Sequence, residues 1–351
     1  MTHAVGIDLG STEAVLAAAS GDRSAELVPA GKKERTTPSF VSFDGRKVLV
    51  GTAARRQTGT NPGATFRLPP GLVPEPGTAA LGPSPYELAR HVAAGVKAAT
   101  EKRLRSRSPV PVVVAVPTHA DEAQRAVYHD AVRDAGFDVR GTLGAAQAAV
   151  AAYRLDQEAR ARILVVVLGG LTLEVSILDL VDGEANVLGG GTHPLGGENW
   201  TQAVADHVGS SFWQAHGVDL RNEPLSWQRV FEAAETAKVQ LSTQDSAAIN
   251  IPYVVNDRRD PKHIDLVVTR PQFEAMTAHL VDHCVTQLAP ALRQAAVAPA
   301  LLDHVLLVGG GSQLPAVAYA VQAHLGRPVT PGPHPQEAVA LGAALRAWSL
   351  H

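Results

Sequence analysis

The stretch "ILVVVLGGLTLEVSILDL", Ile163 to Leu180, reads as two apolar strands joined by a Gly-Gly-Leu-Thr turn. The opening of the chain, "AVGIDLGSTEAVLAAAS" from Ala4, repeats that plan with a strand, a Leu-Gly step and a turn carrying hydroxyls. Laid over each other with one gap, the two copies disagree in charge: Asp8 of the first falls opposite Val167 of the second. A repeated hairpin implies a repeated body, so two related lobes with a cleft between them are expected. The turns cluster backbone N–H groups beside hydroxyls, an arrangement that binds anions.

The 351 residues exceed the usual reach of one core, which supports two lobes. Apolar residues make up 45% and charged residues 19%, a globular composition. A net charge of -3 supplies no field for capturing nucleic acid or an acidic membrane, so neither is expected as a partner. No run approaches the ~20 apolar residues of a bilayer span, and the start lacks a basic segment followed by an apolar one. A soluble, unprocessed chain is expected. The lone cysteine, Cys284 in "LVDHCVTQL", sits in an amphipathic helical pattern and reads as a buried thiol rather than a nucleophile. A reducing compartment, the cytoplasm, follows as the expectation.

Between the two hairpins, polar "GDRSAELV" leads to a strand pair "SFVSFDGRKVLVG" with an Asp44-Gly45 turn. Residues 57 to 85 are so rich in Pro, Gly and Thr that a loop is expected. A helix then begins at Ser84, with Pro85 in its first turn and Glu87 three residues after the cap. "PVPVVVAVP" is a buried strand, and "ADEAQRAVYHDAVRDAGF" is a helix closed by Gly136, so the sheet is parallel there. After the second hairpin come a turn at Asp182-Gly183, the Gly-rich "NVLGGGTHPLGGENW" and helical stretches from Trp200 to about Thr243. Helices at 272 to 297 precede a strand that runs through Gly309, Gly310 and Gly311 into another helix. "PQEAVALGAALRAWSL" closes the chain as a helix. Three Gly-rich elements brought together by pseudo-twofold symmetry would clamp a nucleotide from both lobes.

"GIDLGST", "RTTPSFVSF", "VVAVPTHADEAQRAVYHDAVRDAGFDV", "ILVVVLGGLTLEVSILDL", "HPLGGENW" and "HVLLVGGGSQLPAV...HPQEAVALGAALRA" occur in an order that resembles the nucleotide-binding domain of the DnaK-type seventy-kilodalton heat-shock chaperones. The similarity runs along nearly the whole chain. It implies an α/β actin-like ATPase fold, a duplicated ribonuclease-H-like body with ATP or ADP and magnesium between its lobes. Lobe I is expected over 1–155, with a crossover helix in 335–351 returning to it, and lobe II over 156–334. By the same comparison, the family's linker, peptide-binding domain and lid lie outside this chain, and a protein partner or client is implied.

Carried over residue by residue, the resemblance implies a catalytic and metal-positioning role for Asp8 and phosphate contacts for Gly10, Ser11, Thr12, Gly169, Gly170, Thr172, Gly196, Gly197, Gly309, Gly310 and Gly311. Glu174 stands where the second hairpin usually has an aspartate, and Glu198 remains available as a further acid. The family's "DLGGGT" appears as "VLGGLT", so Val167 replaces a carboxylate that positions magnesium water. Its "NEPTAA" appears as "GAAQAA", so Ala145 replaces a glutamate. The pair Phe66-Arg67 matches a lysine–arginine pair, which puts Phe66 at the catalytic lysine. Phosphoryl transfer depends on positioned charge, and losing one such contact commonly costs ~3 kcal/mol in the barrier. On the base side, Glu235, Lys238 and Ser242 share a helix face and match ribose and adenine contacts, while Val239 and Gln313 replace arginines.

Four readings compete: a weak nucleotide-binding module acting through protein contacts with little or no ATP hydrolysis, a slow genuine ATPase, a nucleotide-free scaffold, and a sugar kinase. The last ranks lowest, because no second aspartate is placed as a base for a sugar hydroxyl. Any partner is expected to read lobe orientation or to dock around residues 57 to 85.

Overall fold

Strands β1 (Ala4–Leu9) and β2 (Glu13–Ser20) form the first hairpin, and β3 (Ser24–Leu27) and β4 (Thr37–Pro38) both pair with β2. A small second sheet follows, built from β5 (Phe40–Phe43), β6 (Val48–Val50) and, after helix α1 (Thr52–Arg55), β7 (Thr65–Arg67). Helix α2 (Pro85–Leu104) begins at a reciprocal cap: the Ser84 amide donates to Glu87 Oε2 at 2.8 Å, and the Glu87 amide to Ser84 Oγ at 3.2 Å. Next come β8 (Pro111–Val116), α3 (Glu122–Asp134), β9 (Asp138–Gly144) and α4 (Ala145–Ala152). Every residue of β8 is buried, as a parallel strand covered on both faces requires. The computed structural model describes residues 3–21, 24–31, 34–45, 47–73, 82–104, 110–255 and 261–350.

The second half contains β10 (Arg160–Leu168), β11 (Leu173–Val181), β12 (Glu184–His193), α5 (Gly197–His216) and α6 (Pro224–Leu241). The antiparallel pair β13 (Ser246–Val255) and β14 (Lys262–Thr269) precedes α7 (Arg270–Thr286) and α8 (Leu288–Gln294). Strand β15 (His304–Val308), α9 (Pro315–Leu325) and α10 (Ala338–Ser349) complete the chain. The first large sheet has the order β3-β2-β1-β8-β9 and the second β12-β11-β10-β15. In both, an antiparallel meander meets a parallel strand beside its first member. That repeated order defines two lobes of the actin-like ATPase fold, as the repeated hairpin implied.

The registers refine the duplication. Leu9 pairs with Ala14 and Asp8 with Val15 in the first hairpin; Leu168 pairs with Leu173 and Val167 with Glu174 in the second. Both turns therefore hold four residues, and the expected gap is not needed. In the second copy the carboxylate stands on the other strand of the same cross-strand pair.

Helix α10 packs on β1, β2 and α4. The approach is close: a Cβ on Gly6 would stand 2.2 Å from the Ala340 carbonyl oxygen, and one on Gly342 would stand 1.7 Å from that of Ala148. One apolar core lies under the second sheet, around Trp200, Phe212 and Leu220. Another lies between the first sheet and α2 and α3, and a third joins Ala148 and Val150 of α4, Ile163 and Val165 of β10, and Ala343 and Ala347 of α10 at the junction. Cys284 is fully buried, and burial pushes its thiol up to about 11. Among the described residues no helix is long and apolar enough to cross a membrane.

Two sequence expectations change. The stretch 57–85 is not loop throughout, because Thr65–Arg67 satisfies its backbone by pairing with β5; residues 74–81 of that stretch lie outside the described residues. "GDRSAELV", read as a polar connection, supplies strand β3. The pair β13–β14 carried no sequence assignment. Its inward face is Ala247, Ile249, Ile251, Ile264 and Val268, an alternating pattern that was the available signal.

Candidate functional site

The two hairpin turns meet across the lobes. The first is braced by Ser39, whose hydroxyl donates to the Gly10 carbonyl at 2.6 Å and whose amide donates to the Thr12 carbonyl at 2.9 Å. The second is braced by the start of α5, where the amides of Gly197 and Glu198 donate to the carbonyls of Gly169 and Gly170, each at 2.9 Å. The Gly196 amide donates to Asn199 Oδ1 at 2.8 Å. Gly197 thus holds the second turn, Gly196 packs closely on Gly170, and the N–H groups of both are already bonded. A Cβ on Gly170 would sit 2.2 Å from Thr12 Cγ2, so these two turns touch. Gly309, at φ +89°, donates to the Pro335 carbonyl at 2.8 Å, and the next turn sets Gly311 against Leu168 and near Gly197. Gly310 faces Gln336. The residues named from the three Gly-rich motifs therefore lie along one connected seam.

Asp8 and Glu174 come from opposite lobes, and the charge of Glu174 reaches Asp8. Burial first, then the Glu174 carboxylate, pushes Asp8 up to about 7. Glu174 is 6% exposed; burial raises its pKa, opposed by bonds from Thr118, whose amide donates to Oε2 at 2.9 Å, and by His119. The Thr118 hydroxyl also accepts from the Ala146 amide at 2.9 Å, so one residue caps α4 and holds the acid. Tyr128, buried nearby, has its phenol raised above the usual range by burial, then by Asp8 and Glu174. Glu13, the last of the four residues between the paired Leu9 and Ala14, is pushed up to about 6 by burial, while Thr36 at 2.9 Å and Arg55 at 3.9 Å pull it down and Glu235 from the other lobe adds to the rise.

Ala145 and Val167, the positions where the resemblance implies acids, both touch the junction core, although the cross-strand partner of half-buried Val167 is Glu174. Ala145 belongs to the junction core and Val167 packs against it, beside its strand partner Val308. Gln147 Oε1, close over Gly144 at the start of α4, is a buried acceptor without a protein partner. Among the described residues no three His, Cys, Asp or Glu side chains gather as a metal-binding group.

Of the residues expected to contact ribose and base, Glu235 and Lys238 pair with each other at 2.7 Å, and Lys238 Nζ also donates to the Gly197 carbonyl at 3.1 Å. The Thr201 hydroxyl donates to Glu235. Ser242, at the end of α6, spends its hydroxyl proton on the Val239 carbonyl at 2.6 Å. Val239 is exposed, and the Gln313 amide donates to the Gly310 carbonyl at 3.4 Å.

Strand β7 alternates across the lobe. Phe66 turns into the core, edge-on to Phe43 with ring centroids 6.1 Å apart and against Gly82. Arg67 takes the other face and pairs with Glu198 of the opposite lobe. The sequence named Arg67 only as the arginine of a matched pair and gave no role to Glu13, Thr118 or Tyr128; Glu13 was legible from its place in the turn, whereas Thr118 meets Glu174, and buried Tyr128 feels Asp8 and Glu174, only through folding.

Two lobes of like topology whose Gly-rich turns meet at a shared seam are the arrangement of a nucleotide-binding domain of the actin-like class. A family model described as "Hsp70 protein" matches residues 4–68 and 82–351. The chain belongs to the Hsp70 family. Domains of this family bind ATP and ADP with magnesium, and Hsp70 chaperones bind protein clients. The match leaves out 69–81, within the Pro-rich stretch.

Proposed function

We propose that the chain is a divergent chaperone-type nucleotide-binding domain that binds ATP or ADP weakly, hydrolyses ATP little or not at all, and delivers its output as a protein contact. Lobe I comprises 1–155 with 335–351 returning to it, and lobe II comprises 156–334. The observation that carries the reading is that Val167 and Ala145 both touch the apolar junction core where the family resemblance places acids. Backbone and hydroxyls of Gly10, Ser11, Thr12, Gly169, Gly170, Thr172 and Gly309–Gly311 would face phosphate; Glu235, Lys238 and Ser242 would face ribose and base. Magnesium, where bound, offsets phosphate charge. Among the described residues the acids at the seam do not make a full metal-positioning set. Part of the expected docking face is already used, because Gly59 lies against Leu225 and Gln228 of the other lobe.

Calorimetry with ATP, with and without a chelator, tests this. The expected affinity is weak and nearly indifferent to magnesium; a submicromolar affinity that falls more than about 30-fold on chelation, roughly 2 kcal/mol, overturns it. A second reading, a slow genuine ATPase, is favoured by the facing Asp8 and Glu174 carboxylates. Single-turnover hydrolysis that Asp8→Asn abolishes would select it.

A further inference from the structure

We infer that Arg67 is the phosphate-recognising cation of the cleft, and that its ion pair with Glu198 is a resting state which an entering phosphate displaces. The inference rests on the nucleotide-binding reading and adds to it a residue and a polarity. Arg67 is held in place relative to the first turn, because the next amide, that of Leu68, donates to the Ser39 carbonyl at 2.9 Å while Ser39 grips Gly10 and Thr12. Glu198 is held relative to the second turn by its own amide on the Gly170 carbonyl at 2.9 Å. Thr12 touches Gly170. Arg67, Ser39, Thr12, Gly170 and Glu198 therefore close a ring of contacts around the place where the turns meet, and the ion pair is its one charged link.

The alternation of β7 explains why the cation is here. Phe66 is committed to the core by Phe43 and Gly82, so its neighbour faces the seam. Both members of the pair stay accessible, with side chains 31% and 29% exposed, so solvent weakens their attraction and an anion can compete. A guanidinium matches two phosphate oxygens as well as it matches a carboxylate. Glu198 thus occupies the guanidinium in the way a phosphate would. Lys238, by contrast, is 12% exposed and held by Glu235 and a backbone carbonyl. When phosphate takes Arg67, the inter-lobe ion pair opens.

The test measures binding of ADP, adenosine and pyrophosphate by calorimetry to the wild type, Arg67→Ala, Arg67→Lys and Glu198→Gln, with melting temperature as the fold check. Arg67→Ala should weaken ADP and pyrophosphate about tenfold or more and leave adenosine within about twofold; Arg67→Lys should retain part of the affinity, and Glu198→Gln should tighten both phosphate ligands. If Arg67→Ala changes ADP and adenosine equally, or Glu198→Gln weakens ADP as Arg67→Ala does, the pair is a structural latch and the inference is wrong. If neither ADP nor adenosine binds the wild type, the nucleotide reading falls; pyrophosphate binding lost in Arg67→Ala would still uphold the arginine. Pyrophosphate that fails to bind, or binds both proteins alike, would sink it.

Discussion

At Asp8, withdrawal from water and the facing Glu174 both oppose ionisation and push the carboxyl up to about 7. In the unfolded chain the same group titrates near 3.8, so folding is unpenalised below that pH, and stability falls as pH rises from about 4 to about 7. Asp8→Asn removes this cost. Its melting temperature should exceed the wild type's at pH 8 and match it near pH 4; an equal shift at both would mean the effect is not ionisation. Val167→Asp tests the apolar junction from the other side. A carboxylate placed there without a metal or cation partner should cost about 1–3 kcal/mol in denaturant unfolding. A neutral result would show that water reaches the position. Ala296, in the left-handed region at φ +52° just after α8, is strained in a way glycine relieves. Ala296→Gly should add about 1 kcal/mol, read by the same unfolding assay.

At the scale of elements, the crossing of α10 over β1 and α4 is the tightest joint in the fold. In an ordinary helix Gly342→Ala would gain up to about 1 kcal/mol of propensity. Here the added methyl would overlap the Ala148 carbonyl, with a Cβ only 1.7 Å from its oxygen, and backbone at that joint has no rotamer by which to yield. Sterics should win, with a net loss above about 2 kcal/mol, and hydrogen exchange should quicken in both α10 and α4. A variant as stable as the wild type would show that the joint can open at little cost. Strand β7 shows the same dependence on neighbours: Thr-Phe-Arg lies within a Pro-rich stretch with weak strand signal and becomes a strand because β5 offers an open edge.

For the whole molecule, the seam is formed by both lobes, so a ligand bound there stabilises the pair together by mass action. At a concentration 100 times its dissociation constant, ADP should add about 2.7 kcal/mol, a rise of a few degrees in melting temperature. Magnesium should change that rise little, since Val167 and Ala145 offer nothing to the ion. A thermal shift seen only with magnesium would contradict this. Across the seam Glu174 raises the pKa of Asp8 and Glu235 that of Glu13, while Arg67 pairs with Glu198.

Local patterns sufficed for the hairpins, the parallel strands and the capped helices. Alternation, apolar runs, Ser84 with Glu87 and Gly136 act within a few residues and carry their own signal. The duplicated hairpin plan and the apolar residues at Val167 and Ala145 were legible for the same reason, because each belongs to a short stretch that repeats or resembles. Tertiary structure alone decided which face of β7 holds Phe66 and which holds Arg67, that Thr118 joins α4 to Glu174, and that Glu13 feels the charge of Glu235. Those relations depend on groups brought together from up to 222 positions apart in the case of Glu13 and Glu235, and burial and field at such places arise only once both lobes have packed.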